Sequence, residues 1–338
     1  MAVHDLPVVG YVVRRMIAGV LVLIVVSMSV YALFFYGPND PAYQYCPENR
    51  CTPAKLDQIR HQMGLDRPAA QQYVEYMGGL VHSRKITSGG LSLECDWPCL
   101  GVSFKYKVSV SDYLLQRVPA TLAVAIGGSI CFLTLGLATG IIAAQRRGSS
   151  TDKAIVSGSL FVNAIPFYLL VLLSYLYLVQ RLHVFPQTGY FSPFSDGPLK
   201  FVSGMLLPWV VLGVGSATTY ARFSRGSMID ALGEDYVRTA RAKGMEERQI
   251  VFRHALRAAI VPVVTLFGLD FAYLLTGTIF IEKIFDIDGL GLAGLDAEQR
   301  VDLPMLSAVI LIGAALIVLA NIAVDVLYSI IDPRVRLT

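Results

Sequence analysis

The chain has 338 residues, of which 54% are hydrophobic and 16% charged, with a formal net charge of +3. A soluble globular chain carries roughly 25% charged residues, and here the charges are absent from long blocks and crowded between them, which excludes an ordinary water-soluble domain. The small positive excess is no nucleic-acid footprint, because the basic residues cluster at block ends, where they act as topological markers.

A span needs about 20 apolar residues to cross ~30 Å of hydrocarbon at 1.5 Å per residue. Five uncharged runs meet that length: Met16–Tyr36, Val118–Gln145, Ala154–Gln180, Phe201–Ala221 and Leu303–Val324. A sixth, Ala258–Ile281, carries one charge, Asp270. The expected fold is therefore all-α and integral to the membrane, with about six transmembrane helices. The first run, in an N-terminal segment 1–36, follows Arg14 and Arg15. It is too long for a cleaved signal peptide and has no small-x-small site, so it reads as an anchor with its N-terminus inside.

Residues 37–116 are long enough for a small extracytoplasmic cap. Thr52-Pro53 predicts an N-cap with Pro at the first helical position, and a helix from Pro53 to about Met63 that stops at Gly64. Asp66 is expected to cap a second helix from Pro68 to about Met77, ended by Gly78-Gly79, with Tyr73, Tyr76 and Met77 on one apolar face. The cap holds Cys46, Cys51, Cys95 and Cys99. An oxidising exterior favours disulfides, most simply Cys46–Cys51 and Cys95–Cys99; free thiols and a four-cysteine zinc site are the alternatives.

The remaining five spans form a domain over 117–331, followed by a tail, 332–338. Cys131 reads as a small packing residue. Asn163, just before Ile165-Pro166, marks a kink in the third span and either lines a path or packs helices. Asp270 is a functional candidate by its position in a span, facing a translocation path; the plainer reading is an interhelical hydrogen bond. With the N-terminus inside, cytoplasmic segments hold fifteen basic residues and the two short outer loops hold four, Arg181, Lys200, Lys283 and Arg300, so both termini are expected in the cytoplasm.

The segment 222–257 differs from its surroundings, with eight basic and five acidic residues. A helix is predicted over Glu234–Gly244, with Glu234 and Asp235 at the positive end of its dipole and Arg241 and Lys243 at the negative end. Gly244 supplies the left-handed residue that ends it. Tyr236, Ala240 and Gly244 fall on one face at spacing four, which suits close approach of another protein surface. A second helix from about Glu246 leads into the fifth span.

Asp235-Tyr236-Val237-Arg238-Thr239-Ala240-Arg241-Ala242-Lys243-Gly244 with Arg253-His254-Ala255-Leu256 resembles the cytoplasmic "EAA" loop of bacterial ATP-binding-cassette importer permeases, in particular the B-type subunit of dipeptide and oligopeptide importers. Arg117-x-Pro119-Ala120-Thr121-Leu122, Phe280-x-Glu282-x-x-Phe285 and Asp332-Pro333-Arg334 are similar to further stretches of that family. The resemblance implies a type I importer permease fold and a subunit without its own ATP site, in keeping with the lack of any Gly-x-x-x-x-Gly-Lys-Ser/Thr motif. ATP and Mg would be bound by two partner ATPase subunits. A second, homologous permease and an extracytoplasmic peptide-binding protein would complete the system, and nucleic acid has no part in it. It also implies that Glu234, Asp235, Tyr236, Arg238, Ala240, Arg241, Gly244 and His254 couple the chain to an ATPase, with Tyr236, Ala240 and Gly244 in the close contact. A related permease for a non-peptide solute such as a nickel chelate is not distinguished by sequence. An ion-driven secondary transporter is less favoured, with one intramembrane carboxylate and no clear inverted repeat. An intramembrane enzyme is disfavoured by histidines, His4, His61, His82, His183 and His254, that form no metal-type cluster.

Overall fold

The computed structural model describes residues 6–36, 42, 52–63, 66–88, 91–103 and 105–331. The described residues fall in two compact units, one drawn from Met1–Val12, Leu122–Ile287 and Leu319–Thr338, the other from Val13–Thr121 and Asp288–Val318.

In chain order, α1 (Leu6–Tyr36) is the first apolar helix. Beyond it lie α2 (Pro53–Met63) and α3 (Ala69–Gly79), then an antiparallel pair, β1 (Arg84–Ser88) and β2 (Leu91–Cys95), with Arg84 opposite Cys95. A shorter pair follows, β3 (Val102–Ser103) and β4 (Val108–Ser109), and then α4 (Val110–Leu115). The membrane helices continue with α5 (Val118–Gln145), α6 (Ser150–Ala164) and α7 (Phe167–Ser174), which runs on as a wide π turn over Tyr175–Arg181. Next come α8 (Pro198–Gly233), α9 (Asp235–Ala242) and α10 (Glu247–Gln249), a second π turn over Ile250–Ala255, and α11 (Leu256–Leu274). The chain ends with α12 (Ile279–Ile284), α13 (Leu290–Gln299) and α14 (Leu303–Ile331).

Among the described residues five helical stretches are long and apolar enough to cross a membrane: Val13–Leu33, Val110–Gln145, Pro198–Gly233, Glu247–Leu274 and Leu303–Val326. The expected third span is broken. Helices α6 and α7 meet at 92°, and six spans result only if this bent pair is counted as one. Pro166 is the cause: it removes a backbone donor, and Ile165 before it is extended at φ −80°, ψ 125°.

In the unit built from Val13–Thr121 and Asp288–Val318, α2 begins and ends where predicted, and the Lys55 amide reaches the Thr52 hydroxyl at 3.4 Å. Asp66 is not the cap of α3; Pro68 is, without a side-chain bond. The apolar face of α3 packs as expected, here on α1: the Tyr73 and Ser27 hydroxyls are 2.8 Å apart, and the Tyr31 ring meets Tyr73 at 5.4 Å and Tyr76 at 6.0 Å. The β1–β2 hairpin is an element that the helical reading of the cap missed, although Gly89-Gly90 between two short alternating runs is a hairpin signal. A disulfide joins Cys95 to Cys99, which removes two ligands from the four-cysteine zinc alternative. Cys46 and Cys51 lie outside the described residues, as does Gly64. The core of this unit is Leu100, Val110, Leu114, Leu290, Ala293 and Met305. Over it the fully buried Ser103 hydroxyl donates to fully buried Asp302, which caps α14, and the Thr121 hydroxyl accepts from the Leu290 amide at 2.8 Å.

In the other unit α5 and α8 form the central seam. A Cβ on Gly127, Gly128, Gly136 or Gly140 would overlap Trp209, Leu212, Tyr220 or Ser224 respectively. Apolar attraction between helices is weak in lipid, so close backbone approach and polar contacts supply the association. The Trp209 indole donates to the Ala123 carbonyl at 2.8 Å, and the Ser224 hydroxyl to the Gly136 carbonyl at 3.1 Å. Cys131 packs against Gly213, as its small size suggested.

Two outcomes are expected. Gly136→Leu forces α5 away from α8 and costs about 1–3 kcal/mol, seen as a lower thermal midpoint in detergent; Gly158→Leu, where a Cβ meets open space, leaves the midpoint unchanged or higher. Burial pushes the Asp302 carboxyl up, outweighing the opposing bonds from Ser103 and the Met305 amide. A raised acid favours the folded state while protonated. Its contribution is full below the ordinary carboxylate value of about 3.9 and is lost as pH rises through the folded value. Thermal midpoints between pH 3.5 and 7 should show that loss, and Asp302→Asn should flatten it.

A clamped surface helix as the candidate functional site

The site begins with a length mismatch. Helix α8 has 36 residues, about 54 Å at 1.5 Å per residue, against ~30 Å of hydrocarbon. Its last turns therefore leave the bilayer as continuous helix. The predicted loop 222–257 is accordingly smaller than expected: 222–233 extends α8, 247–257 begins the next span, and α9 with its two short connections is what stands apart.

Glu234 breaks the run with extended backbone, φ −69° and ψ 151°, and α9 starts at Asp235. At the other end Gly244 adopts φ +75°, the left-handed conformation predicted for it. The Gly244 amide bonds the Arg241 carbonyl at 2.9 Å and the Met245 amide bonds the Ala240 carbonyl at 3.3 Å, the paired 5→2 and 6→1 bonds of a Schellman end.

The predicted contact face requires correction. Ala240 is buried within the chain: with Val237 it packs on Ile250, and Leu232 and Met245 close the cluster. Tyr236 stands at the rim, 43% exposed. Spacing four grouped Tyr236, Ala240 and Gly244, whereas the apolar pair one turn apart, Val237 and Ala240, decides which side docks. The outward face carries Asp235, Arg238, Thr239 and Ala242.

The two arginines are engaged inside the chain. Arg241 grips Glu247 with both nitrogens, at 3.1 and 2.6 Å, and Arg238 reaches Asp235 at 3.4 Å. Both pairs are exposed, so each contributes only about 0–1 kcal/mol; they orient side chains more than they hold the fold. His254 is half-buried in the π turn behind α9. Beneath it Val251, Ala255 and Ala259 pack with Ala144, Met228 and Ala231, joining the ends of α5, α8 and α11.

A part-buried ion pair missed at the sequence level involves Arg225, ten residues before α9. Asp152, 4% exposed at the start of α6, accepts from Arg225 Nε at 2.6 Å and Nη2 at 2.8 Å, and from the Gly148 amide at 2.9 Å. The partners are 73 residues apart and carry no local signal. Further along α8 the Tyr220 hydroxyl donates to Asp270 Oδ2 at 2.8 Å, which is the interhelical bond weighed for Asp270. Asn163 is exposed at the end of α6, beside the bend.

Apolar spans with one short helix clamped beyond their ends describe a multi-pass membrane protein. The chain belongs to the family described as binding-protein-dependent transport system inner membrane component, matched over residues 136–337, with the N-terminal component of the same family matched over residues 8–125. This family is the membrane part of importers, so the chain is a transport subunit and not an enzyme. It is 35% identical to the di/tripeptide transport system permease protein DppB of Pseudomonas aeruginosa, over 92% of this chain and 94% of that protein. It is 31% identical to the dipeptide transport system permease protein DppB of Escherichia coli, over 96% and 98%. A solved inward-facing structure of the MetNI methionine ABC transporter shares the type I importer permease fold with a TM-score of 0.50 and 19% identity, over 65% of this chain and 96% of that one.

If Val237 seats α9, Val237→Asp should release it. Burying a valine is worth about 1.5–3 kcal/mol, so amide exchange over 235–242 should rise about tenfold to a hundredfold, while Thr239→Ala on the outward face leaves exchange unchanged.

Proposed function

We propose that this chain is the membrane-spanning permease subunit of an ATP-driven importer of di- and oligopeptides. It sits in the bacterial cytoplasmic membrane with both termini inside, an orientation supported by the excess of basic residues in the segments assigned to the cytoplasm. The observation that carries the reading is similarity to dipeptide permeases along nearly the whole chain. Two ATPase subunits bind ATP and Mg below the membrane, and each receives one short helix from a permease. Here that helix is α9, which offers Asp235, Arg238 and Thr239 outward, with Tyr236 at the rim. Its position between the end of α8 and the start of the next span lets a push on it pass to two membrane helices, a rigid-body rearrangement. A second, similar permease completes the path, and an extracytoplasmic protein delivers peptide to the 37–116 cap and the loop 281–304.

Co-purification from the native membrane should yield this chain with an ATPase pair and a second permease. Proteoliposomes of that complex with the binding protein should take up a labelled dipeptide only with ATP inside. Uptake driven by an ion gradient without ATPases would refute the reading. Gly244→Val places a β-branched residue at φ +75°, a strain of about 1–2 kcal/mol. That variant should insert normally and hydrolyse ATP, yet lose most peptide uptake per ATP.

A further inference from the structure

Asp270 carries more than an interhelical bond. Tyr220, which is fully buried, donates to one carboxylate oxygen and so fixes its orientation. The carboxylate itself is only partly buried. An acidic side chain within a span almost always faces the bundle interior or a water-filled cavity rather than hydrocarbon. Among the described residues no Lys, Arg or His stands in ion-pair contact with it. The carboxyl thus has a hydroxyl partner and no basic one.

Aromatic rings run on from Tyr220 to the helix that carries Asp270. Tyr220 meets Phe132 at 4.7 Å, Phe132 meets Phe267 at 6.2 Å, and Phe267 meets Phe271 at 5.3 Å. A carboxylate is the natural partner of an ammonium group, and ring faces attract ammonium groups too, so a carboxylate on a helix that also carries Phe267 and Phe271 has the chemistry to select one. We infer that Asp270, oriented by Tyr220, is a recognition site inside the membrane for the α-ammonium group of a transported peptide.

The inference rests on the peptide-import reading, and its test is separable from uptake. The purified permease–ATPase complex, without the extracytoplasmic protein, is titrated with a fluorescent tripeptide bearing a free amine. Trialanine and N-acetyl-trialanine then compete for it. A charge-assisted bond implies that the free amine competes at least about tenfold better. Asp270→Asn should bring that ratio to about one, Asp270→Glu should keep most of it, and Tyr220→Phe should lower it partway. No saturable binding by the wild type, equal competition by both peptides, or a preference that survives in Asp270→Asn would overturn the assignment, even where ATP-driven peptide uptake holds.

Discussion

Close approach of α5 and α8 is the constraint on which this part of the molecule depends. Lipid gives helices little reason to associate through apolar surface alone. Gly127, Gly128, Gly136 and Gly140 remove the side chains that would keep the backbones apart, and the Trp209 and Ser224 bonds fix the register of the seam. Each polar feature of α8 then follows in sequence. Tyr220, held on Phe132, reaches Asp270; Ser224 closes on Gly136; Arg225, at the next position, turns to Asp152. A shift of α8 by one residue would misplace all three, because neighbouring positions on a helix are separated by about 100°.

The same helix explains why α9 has a defined place. An eight-residue helix is far too short to be stable alone in water. It persists because α8 brings the chain out of the bilayer as helix, Val237 and Ala240 have Ile250 to pack on, and the Gly244 turn satisfies the terminal carbonyls. The cluster around Met228 and Val251 ties both flanks together beneath it.

Legibility in the sequence followed the range of the forces involved. Spans were readable because lipid imposes a run of apolar residues on one contiguous segment. The end of α9 was readable because a left-handed residue is a local demand that Gly244 meets. The buried side of α9 was misread: small residues at spacing four looked like a partner face, and the pull of Val237 toward Ile250 depends on a turn folding back. The bend at Pro166 was foreseen as a kink, but its 92° follows from the chain's failure to resume the helix until Phe167. Asp152 with Arg225, Tyr220 with Asp270 and Ser103 with Asp302 join residues 73, 50 and 199 positions apart. Pairing at such distances exists only once helices are packed, so no window of sequence contains it.

The polar pairs also divide by what they do for the fold. Arg241 with Glu247 and Arg238 with Asp235 are exposed and weakly stabilising, so they leave the outward face of α9 chemically open and pre-oriented. Asp152 with Arg225 is different: the carboxylate is buried, accepts three hydrogen bonds, and holds α6 to α8 at the level where α8 leaves the apolar run. Removing Arg225 would leave the buried Asp152 charge unanswered, so the pair favours one arrangement of α6 and the outer turns of α8. Helix α8 is thus held to α5 by glycine contact and to α6 by charge. Under that constraint the turns of α8 that carry Tyr220, Ser224 and Arg225 keep one register, because each is tied to a different neighbouring helix.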